Sequence, residues 1–150
     1  MYLSYNISTM ESTISDNIIF IHLHPNENIL DSLCVQSGEH NIKTAIILSG
    51  IGQVKNITLG YFKEKGDYQE QDFSGTFELL SLSGSIIKQN TSYLPHIHCI
   101  IGDIQKNVLG GHLINATVEI TNEIVLLKTN LAAHREKSKQ TGLMELSLKR

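Results

Sequence analysis

The chain carries only two cysteines, Cys34 and Cys99, and they form neither a framework nor a Cys-x-x-Cys pair. That excludes a disulfide scaffold and fits a reducing compartment. No apolar run reaches the roughly 18 residues a membrane helix needs. No basic segment leads into an apolar stretch at the N-terminus, as a secretory leader would. The expectation is a cytoplasmic protein without membrane contact. Basic charge is also scarce. Twelve Lys/Arg against 15 Asp/Glu give a net charge of −3 with histidines neutral. Residues 134–150 hold five Lys/Arg and two Asp/Glu, a net +3, so the other 133 residues, with seven and thirteen, stand at −6. Duplex binding usually needs a clustered basic face. Here the one candidate is Arg135, Lys137 and Lys139 with Lys149 and Arg150, and it reads as a solvated loop and tail. DNA is a disfavoured partner on this count. Phosphate-binding motifs are missing as well. Gly50-Ile-Gly-Gln-Val has two glycines and leads into a strand-like run, so it reads as a turn that permits close backbone approach. There is no Walker lysine, no Gly-x-Ser-x-Gly elbow, no internal repeat and no low-complexity segment. Cys99 lies among apolar residues and reads as a small buried hydrophobe rather than a nucleophile.

What is present is a globular composition, 41% hydrophobic and 18% charged over 150 residues. That suits one domain with a real core. Residues 1–13 read as an N-terminal extension and 14–150 as the domain. Ile14 to His24 reads as a strand stopped by Pro25. Asn26 to Ser37 follows with Ile29, Leu30, Leu33 and Cys34 at helical spacing. Asn26 or Asn28 suits its start and Gly38 its C-terminal cap. Thr44 to Leu48 reads as a buried strand that ends in the Ser49–Gly52 loop. Val54 to Tyr61 is the next strand, followed by an acidic hairpin around Gly66-Asp67. Phe77 to Leu82 is a strand ended by Ser83-Gly84, and Ile86-Ile87 begin another. Leu143 to Leu148 alternates like an edge strand.

Chemistry concentrates in LPHIHCIIGDIQKNVLGGHL, residues 94–113. Ile97 to Ile101 is short enough for a strand, Asp103 to Asn107 reads as a turn, and a second run extends from Val108 to Leu127. If the two runs pair about Gln105, partner numbers sum to 210 and His98 faces His112. His96 lies two residues from His98, so it points to the same face. Three neutral nitrogens on one face with a free position make an open metal site. The ladder alone does not fix this, because a slip of one residue would turn His112 away. His22 and His24 form a second His-x-His with no evident third partner. Imidazole ligands suit zinc and also copper, nickel or iron. Affinity should fall as pH drops through the imidazole pKa of about 6.5.

These blocks resemble the plant and prokaryote conserved (PPC) domain. The resemblance rests on ILSGIGQVKNITLGYF at 47–62, TFELLSLSGSI at 76–86, PHIHCIIGDIQKNVLGGHL at 95–113 and VEITNEIVLL at 118–127, with NENILDSL at 26–33 as the helix. Together they cover roughly residues 14 to 148. The resemblance implies an α+β fold, a mostly antiparallel curved sheet packed on one main helix and assembled as a homotrimer. It implies the stand-alone prokaryotic type, some of whose members look like zinc binders through histidines matching His96, His98 and His112. Plant members act as nuclear DNA-binding regulators through attached AT-hooks, and no Arg-Gly-Arg-Pro core occurs here, which removes the minor-groove reader. The plant partner-contact block appears as Gly75-Thr-Phe-Glu-Leu-Leu80, with Thr76 in place of arginine. Glu78 is retained, either as a fourth ligand, as a base for metal-bound water, or as an ordinary strand carboxylate. Gly110 and Gly111 read as a bulge or a close approach of another backbone, in a trimer that of the adjacent subunit. Three functions follow in order: a trimeric metal- or small-ligand-binding module, a DNA-associated regulator, and a metal-dependent hydrolase or lyase using the three histidines.

Overall fold

The computed structural model describes residues 10–148. Residues 1–9 of the expected extension, with Lys149 and Arg150, lie outside the described residues. Ordered structure begins earlier than expected, with β1 at Glu11–Ser15 pairing antiparallel with β2 at Ile18–Leu23. The segment read as one strand from Ile14 to His24 is therefore a hairpin. Asp16 sits at φ 52, a left-handed conformation that Asp tolerates better than most residues.

Helix α1 spans Ile29–Glu39 and starts as the sequence suggests. Asn28 is its N-cap, accepting from the Asp31 amide at 3.1 Å through Oδ1. Its end differs. Gly38 lies inside the last turn, His40 is the C-cap, and Asn41 takes the left-handed φ of 50 that glycine was expected to supply.

The remaining strands are longer than their sequence fragments. β3 runs unbroken over Thr44–Glu64, through the expected Ser49–Gly52 loop, and β4 runs over Asp67–Gln89, through Ser83-Gly84. Both glycines are crossing points rather than ends. A Cβ on Gly52 would lie 2.1 Å from the Thr121 carbonyl, and one on Gly84 would lie 2.0 Å from the His96 carbonyl. Only glycine lets these neighbouring strands pass so closely. The β3–β4 turn falls at Gly66, as expected.

β5 spans Ser92–Gly102 and β6 spans Val108–Thr129. All pairings are antiparallel. The six-stranded order is β1-β2-β6-β3-β4-β5, and β6 pairs with β5 as well as β3. That extra pairing closes β3, β4, β5 and β6 into a ring and accounts for the strong curvature. The core joins Leu33 of α1 to Ile21, Ile57, Leu82, Ile97, Ile101 and Leu126 of the sheet, all buried, and α1 packs against β2, β5 and β6. Last come β7, Ala133–Lys137, and β8, Met144–Leu148. They form their own two-stranded sheet against β4 instead of extending the main one, which corrects the edge-strand reading of Leu143–Leu148.

Candidate functional site

The histidine hairpin forms in the register read from the sequence. His98 pairs with His112, Cys99 with Gly111 and Gly102 with Val108, without a bulge. The turn is held from within, since Asp103 accepts from the Asn107 amide at 2.9 Å and its side chain at 2.8 Å. Strand alternation buries Ile97, Cys99 and Ile101 and turns His96 and His98 outward. Burial pushes the Cys99 thiol up to about 11, so it is an inert core residue. Glycines 110 and 111 do mark a close approach, but within the chain. Cβ atoms there would lie 2.9 Å from the Cys99 carbonyl and 3.1 Å from the Gly60 carbonyl.

The three imidazoles converge. Ring centroids lie 5.2 Å apart for His96–His98, 5.1 Å for His96–His112 and 5.4 Å for His98–His112. One nitrogen from each falls within 4.8 Å of the others. Nε2 of His96 lies 3.3 Å from Nε2 of His98. Two nitrogens bound to one tetrahedral zinc at about 2.1 Å lie about 3.4 Å apart, so this pair already has the spacing the ion requires. Protonation is disfavoured in such a cluster. Burial, then the neighbouring His96 and His98, then Arg135 push His112 down to about 4. Burial, Arg135 and His98 lower His96 as well. His96 and His112 are thus biased toward the neutral form that ligation needs.

Glu78 is not brought to the cluster. It is exposed, opposes Gly102 on β5, and accepts from Gln53 Nε2 at 2.9 Å. The strand neighbours of His98 and His96 are Ser83 and Ser85. The fourth-ligand reading of Glu78 fails because it sits several residues too far along β4. The second His-x-His does have a third partner, Glu11 on β1. His22 Nδ1 lies 3.8 Å from Glu11, and Nε2 of His24 is buried without a hydrogen bond.

Arg135 is the residue sequence reasoning missed. It was read as part of a solvated basic tail and is instead buried, aimed at the histidines from β7. Nη1 lies 3.2 Å from Nδ1 of His96, and Nη2 donates to Ser85 Oγ at 3.0 Å. Gln89 fixes its backbone, accepting from the Arg135 amide at 2.8 Å and donating to its carbonyl at 3.2 Å. The alternation of Leu143–Leu148 signalled a strand, but residues 133–137 do not alternate, so nothing local paired the two or turned Arg135 inward. The hairpin and the main sheet enclose a groove of about 1160 Å³ with the three histidines and Arg135 in its wall.

Comparison with known proteins agrees with this architecture. No curated protein sequence matches the chain. A candidate DNA-binding protein of Bacteroides thetaiotaomicron is 24% identical with a TM-score of 0.87, covering 94% of this chain and 99% of its own. A plant- and prokaryote-conserved protein of Pyrococcus horikoshii is 26% identical with a TM-score of 0.76, covering 94% and 98%. A metal-containing protein of Archaeoglobus fulgidus is 27% identical with a TM-score of 0.78, covering 94% and 99%. The sequence profile of the Plants and Prokaryotes Conserved (PCC) domain matches residues 10–130, and the chain belongs to that family.

Proposed function

We propose that this protein is a metal-binding module in which His96, His98 and His112 hold one divalent ion, zinc, with a position left open for a small ligand. The observation that carries this reading is the convergence of three imidazole nitrogens, two of them 3.3 Å apart. The metal-containing relative from Archaeoglobus fulgidus supports it. Zinc bound this way acts as a Lewis acid toward a group entering the open position. Metal analysis of untagged protein after zinc loading and desalting tests the reading. One ion per chain is expected, and a chain that retains none defeats it.

The assembly we propose is a homotrimer in the cytoplasm. The unpaired Cys34 and Cys99 suit a reducing setting. Leu48, Ile51, Leu80, Ile100 and Ile120 stand exposed on β3 to β6. Helix α1 covers one side of the curved sheet and the β7–β8 hairpin only part of the other. An apolar surface of this kind fits a subunit contact. Sedimentation equilibrium at micromolar protein should return three subunits, and a clean monomer would refute the trimer.

Two readings have less support. The DNA reading draws on relatives described as candidate DNA-binding proteins. Yet Arg135 is buried at the groove, which leaves Lys137 and Lys139 as the basic side chains of β7 and its turn. Among the described residues no helix is long and apolar enough to cross a membrane. The hydrolase or lyase reading needs an acid or base beside the ion. The carboxylates nearest in kind are Glu70 and Glu145 in the groove wall, and neither joins the cluster.

A further inference from the structure

Arg135 is 6% exposed, yet among the described residues no carboxylate lies within 4.0 Å of its guanidinium. Its Nε has no hydrogen-bond partner at all. A buried cation normally has a counter-charge, because desolvation is otherwise uncompensated. The partners it does have are a serine hydroxyl and an imidazole nitrogen.

The imidazole contact carries more information. A guanidinium can only donate, so Nδ1 of His96 accepts. Neutral His96 then carries its hydrogen on Nε2, the nitrogen facing His98. Metal-bound histidines show the opposite polarity, since the second ring nitrogen donates to a carbonyl or carboxylate. Once Nε2 of His96 serves as a ligand, the ring hydrogen belongs on Nδ1, and it meets a donor. The same event places a second cation beside an unpaired guanidinium. Both effects press Arg135 away from His96, and both are relieved by one anion.

We infer that the groove binds a small monocarboxylate with an apolar body, its carboxylate held by Arg135 beside the ion on the three histidines. The inference rests on the metal reading above. The body of such a ligand would lie against Leu94, Pro95, Ile114, Leu143, Met144 and Leu146, which line the groove. Glu70 and Glu145 line it too, and they select against ligands of higher negative charge such as phosphate. Carboxylate geometry also matches the guanidinium fork. Arg135 and the hairpin that carries it lie beyond the residues 10–130 that the family profile matches.

Zinc affinity is measured by chelator competition with and without millimolar butyrate, and butyrate binding by calorimetry with and without zinc. Butyrate should raise zinc affinity at least about fivefold, and zinc should raise butyrate affinity by the same factor, as linkage demands. Arg135→Gln should abolish the coupling while keeping one zinc per chain, and Arg135→Lys should keep part of it. If Arg135→Gln does not fold, as melting would show, Ser85→Ala serves instead, because it frees one guanidinium anchor and must change the coupling. Full zinc loading with no butyrate effect, or an equal effect in Arg135→Gln, overturns the inference and spares the metal reading. Coupling to phosphate but not to butyrate overturns the ligand class. Butyrate binding that needs Arg135 in a protein that never takes up zinc supports the anion site and defeats the metal.

Discussion

Replacing His98 with alanine should lower zinc affinity by at least about 100-fold, the upper end of what losing a mere outer partner of a metal ligand costs. His98 is one corner of a nearly equilateral triangle with His96, two residues away on the same strand, and His112, directly across the ladder. Without it the remaining pair offers two nitrogens from different strands and no third donor. The loss should show in stability as well as in binding. An ion that binds only the folded chain stabilises it by about 2.7 kcal/mol at 100 times its dissociation constant. Zinc should therefore raise the melting temperature of the wild type and leave His98→Ala unmoved. His22→Ala is the informative control, because Glu11, His22 and His24 form a separate cluster of ligating groups. Loss of zinc in His22→Ala with retention in His98→Ala would place the ion at the wrong His-x-His.

The same cluster sets a pH dependence with a definite sign. His112 titrates near 4 in the folded chain and near 6.5 when unfolded. Between those values the unfolded chain binds a proton that the folded chain refuses. Stability is then fully present above about 6.5 and declines as pH falls toward 4. The lowered pKa of His96 acts in the same direction. Zinc should accordingly be retained below the ordinary imidazole pKa, deeper into acid than the sequence alone suggests.

The histidine hairpin was legible because its constraints are local. A short polar turn, held by Asp103 on Asn107, narrows the registers open to two apolar runs, and in the one that forms period-two alternation puts His96, His98 and His112 on one face. The helix start was legible for a similar reason, since Asn28 caps by reaching three residues. Strand lengths were not. Ser49–Gly52 and Ser83-Gly84 carry the composition of turns, and the reason for those glycines lies in strands far away in sequence, at Thr121 and His96. Arg135 was illegible on the same principle. A basic side chain in a polar segment looks solvated until the fold lays Gln89, Ser85 and His96 beneath it. Of the readings open for Glu78, strand geometry favours the ordinary strand carboxylate, since it lies opposite Gly102 and away from the histidines.

Gly84→Ala should cost about 2–5 kcal/mol, the sum of a strained backbone and an overfilled contact. Gly84 sits at φ 146, where side chains are rarely found, and its Cβ would lie 2.0 Å from the His96 carbonyl and 2.9 Å from the Ile97 Cα. Both atoms belong to backbone, so no rotamer change can make room. Relief requires β5 to move off β4 where Ile97 opposes Gly84, between His96 and His98. Domains are stable by about 5–15 kcal/mol, so a loss of this size is a large fraction of the whole. At roughly 2–4 °C per kcal/mol for a chain of this length, the melting temperature should drop by about 5–15 °C. Gly66→Ala separates the two causes. Gly66 also has a positive φ, 85, but nothing lies within 4 Å of its Cβ position, so it should lose about 1 kcal/mol. Zinc affinity distinguishes them further. Gly84→Ala should weaken it even where the protein is fully folded, because the displaced strand carries two of the three ligands, whereas Gly66→Ala should leave it intact. A Gly84→Ala protein that melts and binds zinc like the wild type would mean that β4 and β5 do not cross as closely as the register requires.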